Sequence, residues 1–199
     1  MNNAIIWVIV IPLLAGLLCV IWSRYASFIA IISNLLTLAA SIVIVAQVYQ
    51  SGSFNHAMGS WQPGLGISLR ADALSSILLL MSMLVISAAT FYASAYFTDP
   101  VKRARFWPLW LMLVVALNAL LLSGDLFNLY VTLELLGLSA VALTALSDNR
   151  AALQAAIRYL SIGLLGSLVF LAGVALIYTG HGTLDLVALS GMVQAEPLS

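Results

Sequence analysis

The sequence predicts an all-α membrane protein, a polytopic bundle of about six transmembrane helices. Only 7% of its 199 residues are charged, whereas an ordinary soluble domain carries about 25%. Hydrophobic residues make up 63% of the chain, and they are collected into long blocks. A block of roughly 20 apolar residues can cross about 30 Å of hydrocarbon as a helix, which satisfies its own backbone hydrogen bonds. Composition and block length together indicate lipid as the surroundings of most of the chain.

Six such blocks follow one another along the chain. They cover approximately residues 4–22, 28–47, 74–97, 106–122, 126–146 and 155–178. The first block lacks the basic start of a secretory signal peptide, because the first positive charge, Arg24, comes after it. We therefore expect a retained first helix. The chain 1–199 is predicted to be a single membrane domain, with three helices in 1–97 and three more in 106–178.

Positive charges occur mainly in every second connection between the helices. They follow the first, third and fifth blocks and comprise Arg24, Lys102, Arg103, Arg105, Arg150 and Arg158. The positive-inside rule places these connections in the cytoplasm and both termini outside. We therefore expect a multi-pass protein of the cell inner or plasma membrane, in which residues 102–105 belong to a cytoplasmic loop.

The remaining polar stretches are predicted to be loops and helix ends. Residues 49–71 form an outer loop, in which Trp61 is expected to anchor at the membrane interface. After the sixth helix, residues 186–189 are too short to span, and the end of the chain, 195–199, is predicted to be a loop. Helix N-caps are predicted at Asp72, Asp125 and either Asp148 or Asn149.

Glu134 is the carboxylate predicted to lie deep inside a helix. If the fifth helix begins near Asp125, Glu134 lies about nine residues in, roughly 14 Å along the axis and near the bilayer midplane. A charge there costs at least about 2.5–3.5 kcal/mol, so the carboxyl must be protonated, paired or exposed to a hydrated interior. An intramembrane carboxylate in that position is a candidate for proton translocation. The alternative is a buried hydrogen bond that only ties helices together.

The neighbours of Glu134 divide the fifth helix into two faces. Helical spacing places on its own face Phe127, Tyr130, Gly137 and Val141. The opposite face carries Asp125, Asn128, Thr132 and Ser139. Tyr130 offers a hydroxyl one turn away, and Gly137 leaves room for a neighbouring helix or water. Because both faces carry polar groups, we expect this helix to be surrounded by protein rather than lipid.

The sixth helix adds one charge and several small residues. Arg158 is either a charge partner or relay member, or an arginine that reaches back to the cytoplasmic interface. Two pairs of small residues, Gly163 with Ser167 and Gly166 with Gly173, favour close packing against another helix.

Other kinds of chemistry find no support in the sequence. Cys19 stands alone, so neither an internal disulfide nor a cysteine metal site is predicted. His56 and His181 have no ligand-bearing neighbours and are interpreted as solvated loop residues. The net charge is zero and no basic cluster of the kind that binds nucleic acid is present. No cofactor, metal or catalytic residue set is expected. The sequence therefore gives no support to the hypothesis of an enzyme that acts on a membrane quinone.

Around the fifth helix the sequence resembles a known family. Residues 123–136, SGDLFNLYVTLELL, are similar to the antiporter-like subunits of multisubunit cation/proton antiporters and complex I, most of all to the D-type subunit of the Mrp Na⁺/H⁺ antiporter. Weaker similarities lie at 66–75, GISLRADALS, at 155–160, AAIRYL, and at 173–184, GVALIYTGHGTL. The resemblance extends from about residue 59 to residue 190, and the segment 106–178 resembles the start of the first antiporter repeat.

The resemblance implies roles for two residues. In the family, the glutamate of the fifth helix pairs with a lysine on the next helix but one and gates proton passage, and Glu134 matches that glutamate. Arg158 stands where the family usually has a lysine. Because arginine stays protonated, the substitution leaves a fixed electrostatic role and argues against a titrating one. Tyr130 and Asp125 remain as further candidate partners of Glu134.

The chain also departs from the family pattern. Family members are much longer, with paired inverted repeats of helices, and the only lysine here, Lys102, lies in a predicted loop. The expected partner of Glu134 is therefore missing. A truncated or split chain, a second subunit that supplies the remainder, and a chain that no longer transports stay open as explanations.

Two functions follow as hypotheses. The first is a proton-translocating subunit of a multisubunit membrane complex, a cation/proton antiporter with protons and Na⁺ as the transported ions. The second is a non-transporting structural or assembly subunit of an antiporter or of a complex I-like NADH–quinone oxidoreductase. In both, the partners are other membrane subunits and the lipid bilayer, and the chain is not expected to be an enzyme by itself.

Overall fold

The computed structural model describes residues 4–57, 67–147 and 149–195. In chain order its helices are α1 (Ala4–Ile21), α2 (Ala26–Ser51), α3 (Ala73–Tyr96), α4 (Pro100–Leu121), α5 (Leu126–Ala145), α6 (Arg150–His181) and α7 (Leu186–Ala195). A 3₁₀ turn, Ser23–Tyr25, joins α1 to α2, and two short strands, β1 (Phe54–Ala57) and β2 (Ser68–Ala71), lie between α2 and α3. The helices α1 to α6 are long and apolar enough to cross a membrane. The predicted all-α bundle with six membrane helices is confirmed.

Carboxylate and amide side chains begin several of these helices. The backbone N–H of Ser75 donates to Asp72 Oδ1 at 2.9 Å, and the Ser75 hydroxyl accepts from the Asp72 N–H at 2.9 Å, which completes a capping box at α3. That backbone hydrogen bond, with a smaller contribution from the Arg70 charge, holds the pKa of Asp72 below its usual value. At α6 the N-cap is Asn149, whose Oδ1 accepts from Ala152 N at 2.6 Å. The alternative cap, Asp148, lies outside the described residues.

Helices α1 to α4 pack together as one body, and α5 and α6 extend from α4. Helix α1 contacts α2 and α4, α2 also contacts α3, and α5 lies between α4 and α6. Buried apolar side chains fill the body made by α1 to α4, among them Ile5, Val8, Ile44, Leu79, Trp107 and Leu111. Helix α6 lies beyond α5 and buries only Ala156 and Val174. The side of α6 away from α5 is therefore not covered by the residues that the structure describes.

One end of the bundle is tied together by backbone hydrogen bonds. The hairpin β1–β2 is antiparallel, and Gly124 N donates to Ser68 O at 2.8 Å. The segment after α6 joins the same layer, because Leu126 N donates to Leu184 O and Leu186 N to Gly124 O, each at 3.0 Å. The connections that follow α2, α4 and α6 thus share one end, as six alternating helices require. Which end faces the outside stays a prediction.

Four boundaries differ from the sequence-based expectation. The predicted loop 49–71 contains the hairpin β1–β2 and the end of α2, while Trp61 lies outside the described residues. The basic residues 102–105, predicted in a loop, lie in the first turns of α4, because Asp99 caps the helix and Pro100 begins it. Helix α6 begins at Arg150 and has 32 residues. Finally, α7 includes residue 195, the first residue of the predicted terminal loop.

Candidate functional site

A cleft of about 310 Å³ lies between α5 and α6. Most of its lining is apolar, and the polar side chains in it are Tyr130, Glu134, Tyr159 and Ser167. Glu134 is the one acidic or basic residue of that lining. The structure therefore brings the predicted carboxylate and the predicted hydroxyl of Tyr130 into one cavity.

Glu134 occupies the middle of α5 and is half-buried. At 1.5 Å per residue, it lies about 12 Å along the axis from the first residue of the helix. Among the described residues, Glu134 has no hydrogen-bond or ion-pair partner. The ion pair that those residues do form lies elsewhere, between Arg70 and Asp72 at 3.6 Å. The carboxyl oxygens of Glu134 are thus not consumed by a structural contact.

The two walls of the cleft meet through aromatic rings and separate at glycines. Tyr130 stacks on Phe170 across the cleft, with ring centroids 6.5 Å apart and planes inclined by 10°. A Cβ atom placed on Gly137 or Gly163 would meet nothing within 4 Å. Open space is therefore present beside Glu134, in keeping with the room predicted at Gly137.

The predicted face of α5 is largely the one that lines the cleft. Tyr130, Gly137 and Val141 line it together with Glu134. Phe127 does not, since it lies nearer the start of α5 and is exposed. All but one of the residues assigned to that face by spacing thus share the cavity.

The polar side chains on the opposite face of α5 have hydrogen-bond partners in α5 or just before it. Thr132 and Ser139 donate to backbone carbonyls one turn back, those of Asn128 and Leu135, both at 2.8 Å. Asn128 Nδ2 donates to Ser123 Oγ at 2.7 Å. These side chains are buried, yet among the described residues α5 packs mainly against α4 and α6 and leaves other side chains exposed. The expected complete enclosure of α5 is therefore only partly present within this chain.

Asp125 is a cap and an anchor, and it lies outside the cleft lining. Its Oδ1 accepts from Asn128 N at 2.7 Å, and its Oδ2 accepts from Ser68 N at 3.0 Å. The side chain is 7% exposed. Both carboxylate oxygens are thus held by backbone N–H groups, which joins the start of α5 to strand β2.

Arg158 is not brought together with Glu134. It is exposed on α6, it does not line the cleft, and no ion pair joins it to a described acidic residue. Its neighbour Tyr159 lines the cleft instead.

Sequence reasoning missed the polar residues that α6 contributes to the cleft. Tyr159, Gly163, Ser167 and Phe170 recur at the spacing of one helical face and all line the cavity. From the sequence, Gly163 and Ser167 are interpreted only as a packing pair. The signal in the sequence was the helical spacing of Gly163 and Ser167 with Tyr159 before them and Phe170 after them, which places all four on one face of α6.

Comparison with known proteins shows similarity along nearly the whole chain. Residues 123–198 match the family model described as NADH:quinone oxidoreductase/Mrp antiporter, transmembrane. The D subunit of the Na⁺/H⁺ antiporter of Alkalihalophilus pseudofirmus is 30% identical over 193 residues, which are 96% of this chain and 39% of the relative. The N subunit of the NADH-quinone oxidoreductase of Desulforudis audaxviator is 34% identical over 159 residues, 78% of this chain and 32% of the relative.

A solved structure supports the same relationship. The Mrp complex from Dietzia sp. DQ12-45-1b contains a chain with a TM-score of 0.82 and 30% identity, over 92% of this chain and 35% of that one. The chain thus spans less than two fifths of the length of these relatives. The resemblance that the sequence indicated is confirmed: the chain is homologous to the D subunit of Mrp antiporters and to membrane subunits of complex I, and residues 123–198 match their shared transmembrane domain.

Proposed function

We propose that this chain is a proton-translocating subunit of a multisubunit cation/proton antiporter, in which Glu134 takes up and releases the proton. The observation that carries the proposal is the position of Glu134, an acidic side chain in the α5–α6 cleft with no ion-pair partner among the described residues. The name of the Alkalihalophilus pseudofirmus relative, a Na⁺/H⁺ antiporter subunit, favours Na⁺ as the exchanged cation. The plasma or inner membrane is the corresponding location.

The chemistry of the cleft suits proton transfer. A carboxyl group in the middle of a membrane helix is retained when it faces a hydrated space, where it can exchange a proton with water. Tyr130, Tyr159 and Ser167 line the same cleft and can hydrogen-bond to water beside the carboxyl. Protonation makes Glu134 neutral, and proton release leaves a negative charge that a cation can stabilise.

That cation would come from outside the described residues of this chain. The only lysine, Lys102, is in the first turns of α4, and Arg158 does not line the cleft. Another membrane segment can pack against the uncovered side of α6. We therefore propose that the partner of Glu134 is a positive side chain of another membrane segment of the same antiporter complex.

The test is replacement of Glu134 by glutamine in the assembled complex. Removing the titratable group should lower cation-driven proton movement in inverted membrane vesicles by at least about 100-fold. That factor is the lower end of what one acid–base group contributes to a rate. Glu134→Asp keeps a carboxyl on a shorter stem and should retain measurable transport. Thr144→Val is the matched control on α5, because Thr144 is exposed and its hydroxyl donates to the Ala140 carbonyl of its own helix.

Assembly must be measured beside transport. Co-purification of the other subunits should be the same for wild type, Glu134→Gln and Thr144→Val. Transport at the wild-type rate by an assembled Glu134→Gln complex contradicts the proposal.

A structural or assembly subunit is the second candidate, and the uncovered side of α6 favours it. A Cβ atom on Gly173 would meet nothing within 4 Å, and Gly173 does not line the cleft. Gly163 and Gly166 do line the cleft, so bulky residues there would disturb both proposed functions. Gly173→Leu separates them: a purely structural subunit predicts loss of assembly in this variant together with full transport in Glu134→Gln.

A further inference from the structure

Four of the seven lysine and arginine residues lie in two segments that the fold brings together. These residues are Arg24 in the 3₁₀ turn and Lys102, Arg103 and Arg105 in the first turns of α4. Arg103 Nη2 donates to the backbone carbonyl of Arg24 at 3.4 Å, although the two residues are 79 positions apart in the sequence. We call these four residues the basic patch.

The basic patch is not neutralised by the described part of the chain. None of its members forms an ion pair there, since the salt bridge that is present joins Arg70 to Asp72. Asp99 is the nearest acidic residue in the sequence, and its Oδ1 is already bonded to Val101 N at 2.9 Å as the cap of α4. The cations also stand at the start of a helix, the end where the macrodipole disfavours positive charge. The helix dipole and the lack of ion-pair partners among the described residues together favour a bound anion at the patch.

Two exposed aromatic side chains beside Arg24 indicate the depth of the patch. Trp22 and Tyr25 flank Arg24 and are 56% and 59% exposed, as residues at a membrane interface usually are. Such residues lie at the level of lipid head groups, so the basic patch lies at that level too.

The helix surfaces next to the patch are apolar and uncovered. Phe28 on α2 and Tyr96 at the end of α3 are both exposed. An anion without acyl chains would use the cations alone. A phospholipid would use the cations for its phosphate and the apolar surfaces for its chains.

We infer that the basic patch is a binding site for the head group of an anionic phospholipid. A signal for membrane topology requires positive charges on one side of the membrane, but it does not require the fold to bring two distant basic segments into contact. The contact between Arg103 and Arg24 supplies that second feature. The bound lipid would hold the α1–α2 turn against the start of α4 through its phosphate.

The test is photo-crosslinking of the assembled complex in membranes that contain diazirine-labelled phosphatidylglycerol or diazirine-labelled phosphatidylcholine. Cross-links are mapped by mass spectrometry after chymotrypsin digestion, since arginine variants change tryptic sites. Labelling of residues 22–25 and 99–107 should be more than about fivefold stronger with phosphatidylglycerol, because the patch carries four cations. Each basic residue near an anionic head group contributes about that factor, so Arg24→Gln and Arg103→Gln should each reduce labelling about fivefold.

Two variants and one competitor serve as controls. Arg103→Lys keeps the charge and should keep most of the labelling. Arg150→Gln removes a cation from the start of α6, outside the patch, and should leave labelling of the patch unchanged. Inorganic phosphate should not compete, because it lacks acyl chains. Equal labelling by the two lipids, an equal loss in Arg150→Gln, or full competition by phosphate would each overturn the inference.

Discussion

Two acidic residues of the same helix region have opposite surroundings. Asp125 is buried, but each of its oxygens accepts a backbone N–H, so the cost of removing its charge from water is offset by charge-assisted hydrogen bonds. Glu134 is half-buried and has no such donors among the described residues. Asp125 therefore stabilises the junction between β2 and α5. The carboxyl oxygens of Glu134 stay available to the cleft.

A glycine next to Asp125 carries the first prediction at this scale. A Cβ atom on Gly124 would lie 2.6 Å from Ser68 Oγ and 3.0 Å from the Ser68 carbonyl oxygen. Since backbone cannot move away without breaking the Gly124–Ser68 hydrogen bond, Gly124→Ala should destabilise the protein by about 1–3 kcal/mol. The measurement is thermal unfolding of the purified chain in detergent. Gly180→Ala is the control, because a Cβ there meets nothing within 4 Å and alanine favours the helix. Equal melting temperatures for Gly124→Ala and wild type would show that the junction is not tightly packed.

At the scale of the elements, a polar contact inside the bundle joins three helices. Thr90 of α3 accepts hydrogen bonds from Asn34 of α2 and from Trp110 of α4, the latter at 2.9 Å. Asn34 and Thr90 are each 1% exposed. Such a contact determines how the helices are rotated about their axes, which apolar side chains facing lipid or one another determine only weakly.

Thr90→Val removes the shared acceptor and nearly conserves the volume. It leaves the buried Asn34 amide and the partly buried Trp110 indole N–H without their acceptor. A buried donor that stays unsatisfied costs about 1–3 kcal/mol. We expect a clear loss of thermal stability in detergent, whereas Thr90→Ser should retain most of it because the hydroxyl is kept. If the valine variant melts at the serine variant's temperature, the hydroxyl contributes nothing to the association of α2, α3 and α4.

The sequence predicted those features that depend on local signals. The six helices follow from block length, the caps at Asp72 and Asp125 from residue type beside an apolar run, and the position of Glu134 in the middle of α5 from counting along the helix. The hairpin was missed, because its four-residue strands are fixed by contacts of Ser68 with a segment over 50 positions away. The α6 wall of the cleft was also missed, since the rotation of α6 that turns Tyr159 inward and Arg158 outward depends on packing against α5.

At the scale of the whole molecule, the two ends of the bundle differ in character. One end is a layer of backbone hydrogen bonds that joins the hairpin, the start of α5 and the segment before α7. The other end carries the basic patch and its aromatic neighbours. Because positive charge is retained on the cytoplasmic side during insertion, this asymmetry predicts the orientation of the entire bundle. In that predicted orientation, the Glu134 cleft lies between the hydrogen-bonded layer on the outer side and the basic patch on the inner side.

Cysteine labelling tests that orientation directly. The chain has one cysteine, Cys19, which is buried, so Cys19→Ala gives a background without thiols. Asn55→Cys places a thiol on exposed strand β1, and Thr98→Cys places one on the exposed connection between α3 and α4. A membrane-impermeant maleimide should label Asn55→Cys in intact cells and Thr98→Cys only after permeabilisation, because the hairpin layer is predicted outside and the basic end inside. The wild-type chain should remain unlabelled in both conditions, since Cys19 is shielded. The reverse pattern would invert the bundle and place the basic patch on the outer membrane surface.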